Sequence, residues 1–130
     1  MKRILVMGHG GYAEGIRKNI EMIAGESEHM YYIDLTKEDD MATFEKKVNR
    51  LLEDFPDDEV LFACDLLGAS PFRVAAMLCA DHPGKYYAVT GLNTMAFLEL
   101  SMNMGNDLSI AQLANHSIDT AKAALARFPE

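Results

Sequence analysis

Residues 2–11, KRILVMGHGG, decide the fold. Lys2 to Met7 is a short apolar, partly branched run that stops at Gly8, as a buried strand would. Beyond the glycines the period changes. Tyr12, Ile16, Ile20 and Ile23 recur at helical spacing and Gly25 closes the segment, which predicts an amphipathic helix over residues 12–24. A strand, a glycine-rich turn and a helix in that order suit an α/β chain.

Outward from this unit the alternation continues. His29–Leu35 (HMYYIDL) is rich in strand formers, and Phe44, Val48, Leu51, Leu52 and Phe55 follow at helical spacing until Pro56. Glu59–Cys64 predicts a third strand, followed by the loop Asp65-Leu66-Leu67-Gly68-Ala69-Ser70-Pro71 and an apolar helix through Val74, Met77 and Leu78. Ser70 before Pro71 reads as an N-cap followed by proline at the first helical position. Lys85–Thr90 predicts a fourth strand, broken by Gly91-Leu92-Asn93 before the helical MAFLELSMNMG. From Asp107 the pattern is helical again, with Ile118, Ala121, Leu125 and Phe128 on one stripe. The expectation is a single domain over residues 1–130. It is a doubly wound, mainly parallel sheet of four to five strands with helices on both faces and right-handed crossovers.

Composition agrees with one packed domain: 130 residues, 49% hydrophobic and 25% charged. A net charge of -8 repels phosphate backbones and anionic lipid, which argues against nucleic-acid binding. No apolar run has a membrane span's length, and the opening segment is too short for a signal peptide, so the cytoplasm is the expected location. Cys64 and Cys79 are expected to be buried thiols, and the scattered His9, His29, His82 and His116 offer no zinc spacing. No metal and no cofactor is expected. The nine methionines read as core or interface filler.

In a doubly wound sheet, chemistry sits outside the carboxyl ends of the strands, here in the loops around residues 8–12, 65–70 and 91–94. His9 stands among Gly8, Gly10 and Gly11 just ahead of a helix, where backbone N–H groups and the helix dipole favour an anion. A neutral imidazole there is a competent nucleophile; the same residue also fits a plain surface turn. Asp65 follows the third strand and should emerge at the same edge. It can fix the tautomer of His9, cap nearby backbone N–H groups, or do both. Ser70 can cap its helix and also meet a phosphoryl oxygen. His29, His82 and His116 show no partner pattern.

Together, His9-Gly10-x-x-Ala13-x-Gly15, Gly25, Asp65-Leu66-x-Gly68-x-Ser70-Pro71 and Gly91-x-Asn93 resemble the IIA component of the mannose family of the phosphoenolpyruvate-dependent sugar phosphotransferase system. The match runs through nearly the whole chain in order. The resemblance implies a phosphoryl carrier in which His9 accepts from the phosphohistidine of HPr and donates to a IIB component. Asp65 would orient His9, and Gly10, Gly11, Gly68, Ser70 and Asn93 would surround the phosphoryl group. It also implies indirect coupling to membrane IIC and IID components, and a homodimer that exchanges a C-terminal strand. The chain departs from the family pattern at Ala69, at Arg73 and at Thr94-Met95. Arg73 is placed either to reach a phosphate oxygen or a partner's acidic group, or to be a solvated helix residue.

Two other readings compete. One is the phosphocarrier subunit of dihydroxyacetone kinase, with the same first-loop histidine. The other is a flavodoxin-like binding or receiver domain without histidine chemistry. A receiver needs an acidic cluster after its first strand, where this chain has Gly8 and His9.

Overall fold

Ile4 and Val6 pack on one side of the first strand, β1 (Lys2–His9), and Leu5 and Met7 on the other; all four are buried. This is what a period of two demands of a strand covered on both faces. A computed structural model describes residues 1–129. In it β1 is followed by α1 (Tyr12–Ala24), β2 (Met30–Leu35), α2 (Met41–Leu52), β3 (Glu59–Cys64), α3 (Ser70–Asp81), β4 (Tyr86–Thr90), α4 (Thr94–Met102) and α5 (Ile110–Ala123).

The four strands form one parallel sheet in the order β2-β1-β3-β4. Helices α1, α4 and α5 cover one face, contributing Ala13, Ile20, Phe97, Leu100, Ile110 and Leu113 to its core. Helices α2 and α3 cover the other with Phe44, Val48, Leu52, Val74 and Ala75. Phe44, Phe62 and Phe97 are fully buried, each removing apolar surface worth about 1.5–3 kcal/mol.

The chain winds from β1 outward to β2, then crosses to β3 on the opposite side of β1. The reversal therefore lies between β1 and β3, where an open α/β sheet places its ligand crevice. Register aligns Met7 with Cys64, and the Asp65 N–H donates to the Met7 carbonyl at 3.1 Å, so Asp65 leaves β3 beside Gly8 and His9.

Three expectations are corrected. The α3 N-cap is Ala69, in extended backbone (φ -80°, ψ 174°), so Ser70 is the first helical residue and Pro71 the second. Proline tolerates that position because its missing N–H would have no partner in the first turn. The last helix ends at Ala123, and beyond it Leu125 and Phe128 are 76% and 95% exposed, so the stripe does not continue into the core. The fourth helix stops at Met102, before the Asn103–Gly105 end of the apolar pattern.

Candidate functional site

His9 is the last residue of β1. Its backbone N–H donates to Asp65 Oδ2 at 2.9 Å, and its Nδ1 lies 2.8 Å from the same oxygen. An ionised carboxylate only accepts, so this contact favours the tautomer with its proton on Nδ1 and its lone pair on Nε2. The imidazole is 44% exposed while the Asp65 side chain is 15% exposed, so the ring is open to solvent and the carboxylate beside it is largely covered. Asp65 Oδ1 is buried without a hydrogen-bond partner among the described residues, leaving Oδ2 as the oxygen that anchors the loop. One Asp65 oxygen thus contacts both the backbone N–H and the imidazole of His9.

Backbone conformation explains the glycines. A Cβ on Gly8 would stand 2.4 Å from Tyr12 Cδ2, so the Tyr12 ring closes over β1 only because Gly8 has no side chain. Burial and then the negative charge of Asp65 push the Tyr12 phenol up to about 12, so it stays neutral beside the site. Gly10 turns the chain at φ +61°, and its N–H donates to the Leu35 carbonyl at 2.9 Å. That donor is engaged with the sheet; Gly11 is the N-cap of α1, without a side-chain bond.

Asp34, which the sequence reading passed over, closes the start of α1. Its Oδ1 accepts from the Ala13 N–H at 2.7 Å and its Oδ2 from the Glu14 N–H at 3.1 Å. Parallel register aligns Asp34 with Gly8, carrying its carboxylate from the end of β2 to the head of the helix. The only signal in the sequence was an acidic residue near the end of a strand, in the run YYIDL.

The start of α3 is finished differently. No side chain caps it, and the Ser70 and Phe72 N–H groups have no backbone partner among the described residues. The Arg73 N–H donates to Ala69 O at 2.9 Å, and its Nε–H donates to Gly68 O at 3.0 Å, where Gly68 adopts φ +83°. Leu66 and Leu67 are 60% and 71% exposed on the loop between Asp65 and Gly68.

Asn93 caps α4, accepting from the Ala96 N–H at 3.3 Å, and its Nδ2 donates to Ala121 O at 2.9 Å. Both ends of its side chain therefore join α4 to α5, at the end of β4, two strands from β1. His116 does have a partner, contrary to the sequence reading: its Nε2 bonds Glu99 Oε1, while Thr120 donates to Glu99 Oε2 at 2.8 Å. The pair ties the two helices and has no glycine-rich loop around it. Among the described residues no group of three or more His, Cys, Asp and Glu side chains could hold a metal ion, and no helix is long and apolar enough to cross a membrane.

Residues 3–120 match the family model described as PTS system fructose IIA component. Among similar proteins, the PTS system fructose-specific EIIA component of Bacillus subtilis is 27% identical over 89% of this chain and 79% of its own length. The PTS system mannose-specific EIIAB component of Escherichia coli is 30% identical over 92% of this chain, which spans only 37% of that longer protein. In structure, the mannose/sorbose specific IIA subunit of Enterococcus faecalis superimposes with a TM-score of 0.89 at 25% identity, over 100% of this chain and 97% of that one.

Proposed function

The chain belongs to the family of PTS fructose IIA components, phosphoryl carriers of sugar phosphotransferase systems, and we propose that it carries its phosphoryl group on Nε2 of His9. The observation that supports this most is the 2.8 Å contact between His9 Nδ1 and Asp65, which leaves Nε2 unprotonated at an exposed strand end.

The donor in this reading is the phosphohistidine of HPr. The Nε2 lone pair of His9 attacks phosphorus in line, a new N–P bond forms, and the N–P bond of the donor breaks with its electron pair returning to the donor ring. The proton on Nδ1 stays in its bond to Asp65, which stabilises the positive charge the ring acquires. The phosphoryl oxygens meet the Ser70 and Phe72 N–H groups at the open start of α3, with the Ser70 hydroxyl and the Gly11 and Gly68 turns around them. Gly10 shapes that turn, and Asn93 contributes through the placement of α4. The reverse sequence of bonds delivers the group to a IIB component, which serves membrane IIC and IID components in turn. This work takes place in the cytoplasm.

We also propose a homodimer. β4 is an edge strand, paired on one side with β3, and the segment after α5 carries exposed Leu125 and Phe128, with Leu125 lining a hollow beside Thr90 at the end of that strand. An unpaired edge and an unpacked apolar tail are complementary across two copies.

The test is phosphorylation with phosphoenolpyruvate, enzyme I and HPr, followed by mapping of the modified residue. One acid-labile, base-stable label on His9 is expected, and none in a folded His9→Ala variant. Label persisting in that variant, or mapping to His29, His82 or His116, contradicts the assignment. In sedimentation a dimer is expected; a concentration-independent monomer excludes it.

A further inference from the structure

We propose that Arg73 is a phosphoryl-recognition residue of this chain, presenting the terminal N–H groups of its guanidinium to the group carried on His9. The inference rests on the reading of His9 as the phosphoryl carrier.

Arg73 lies in the first turn of α3 and its Nε–H is fixed on the Gly68 carbonyl at 3.0 Å. Gly68 lies in the turn that runs back to Asp65, the residue in contact with the His9 ring. The two terminal nitrogens of Arg73 have no hydrogen-bond or ion-pair partner among the described residues, although the chain carries twenty carboxylate side chains. Arg3 and Arg17 are paired with Asp58 and with Glu14 and Glu21, whereas Arg127, in the segment after α5, shares the pattern of Arg73, with its Nε–H on the Pro129 carbonyl. A planar guanidinium anchored at Nε and open at both terminal nitrogens is a fork for two oxygens of one anion.

Its position is costly without such an anion. A cation in the first turn opposes the helix dipole, and α3 has no side-chain cap to offset it. Charge balance gives the converse argument. A phosphoryl group on His9 brings up to two negative charges beside Asp65, with the Asp34 carboxylate at the head of α1 nearby. Among the charged groups of the two loops that flank the site, residues 8–12 and 65–70 with the first turns they lead into, Arg73 is the one cation without a carboxylate partner. It supplies the compensating charge at the end of the crevice where the N–H groups of Ser70 and Phe72 are free.

The experiment compares wild type, Arg73→Gln and Arg73→Lys, each phosphorylated through phosphoenolpyruvate, enzyme I and HPr. The phosphohistidine is titrated by ³¹P NMR and transfer from phospho-HPr is timed by quench-flow. Loss of a cation next to the phosphoryl group should raise the midpoint of its titration in Arg73→Gln and slow transfer by about tenfold, the scale of one charge-assisted hydrogen bond. Arg73→Lys should recover much of the midpoint shift because it keeps the charge. A turn-holding role alone would leave the midpoint where it is in both variants. Unchanged midpoint and rate in an Arg73→Gln protein labelled on His9 would overturn the inference while leaving the carrier reading intact. A wild-type protein that takes no label on His9 would overturn both.

Discussion

Helices α1 and α3 begin at neighbouring strand ends, a few residues from His9 and from Asp65, yet their first turns are completed in opposite ways. At α1 the protein's own carboxylate, Asp34, accepts from two backbone N–H groups. At α3 the N-cap is Ala69, which has no side-chain oxygen to offer, and the corresponding donors stay open. An alanine in place of a good N-cap forgoes about 0.5–2 kcal/mol of helix stability. An anion can enter only where a helix start is left open. The crevice has two positive helix ends, one is filled from within by Asp34, and the other is the one the proposed carrier reading assigns to the phosphoryl group.

The largest effect expected from disturbing this arrangement is in Asp65→Asn. The amide can donate to the imidazole as well as accept, so a tautomer with its lone pair on Nδ1, facing the amide, becomes available and Nε2 no longer attacks toward α3. Transfer from phospho-HPr should fall by about a hundredfold to a thousandfold, less than the loss seen for the matching change in a serine-protease triad, because no proton transfer depends on the ring here. Quench-flow kinetics with thermal melting as a control will measure it.

Ala69→Asp exchanges the character of α3 for that of α1. Its extended backbone already suits a capping side chain. The variant should gain about 1 kcal/mol of stability and lose about a hundredfold in transfer rate, since its carboxylate takes the donors the phosphoryl oxygens need. A faster or unchanged transfer would show that the start of α3 is not where the charge is held. Asp34→Ala is the mirror experiment. It should cost about 1–2 kcal/mol, seen as a melting temperature lower by several degrees, while transfer stays within about twofold.

The smallest effect concerns α2, whose start is closed locally and away from the crevice. Asp40 caps it, its carboxyl held below the ordinary range mainly by the Thr43 N–H, and Asp39 is lowered mainly by Lys47 and then by the Thr36 N–H. Carboxyls depressed in the folded state contribute stability above their unfolded pKa and lose it as pH falls through the folded one. Acid melting between about pH 5 and pH 2 should therefore be less steep in Asp39→Asn, with phosphoryl transfer at neutral pH unchanged.

Much of this comparison was legible before any coordinates. Periodicity located every strand and helix, and the glycine-flanked His9 and the strand-terminal Asp65 pointed to one edge because parallel strands end together. Asp34 was not legible, because its partners Ala13 and Glu14 lie about twenty residues away and meet it only through the β1–β2 register. The N-cap of α3 lies one residue before the serine that the sequence suggests, for a local reason. Serine before proline is a strong capping pattern, but the turn through Gly68 brings Ala69 into the capping position first. The tail after Ala123 continues a helical stripe in sequence and leaves the helix in structure, since a stripe stabilises a helix only where a surface receives it.

In the proposed carrier, Asp65 holds the proton of His9 on Nδ1 so that phosphorus bonds to Nε2. Long-range ¹H–¹⁵N correlation spectra of the ¹⁵N-labelled protein, before and after phosphorylation by phosphoenolpyruvate, enzyme I and HPr, test it most directly. A protonated Nδ1 and bare Nε2 on His9 are expected in the free protein, and phosphorus coupled to Nε2 with the Nδ1 proton retained afterwards. Phosphorus on Nδ1, or a free His9 with its proton on Nε2, would contradict it.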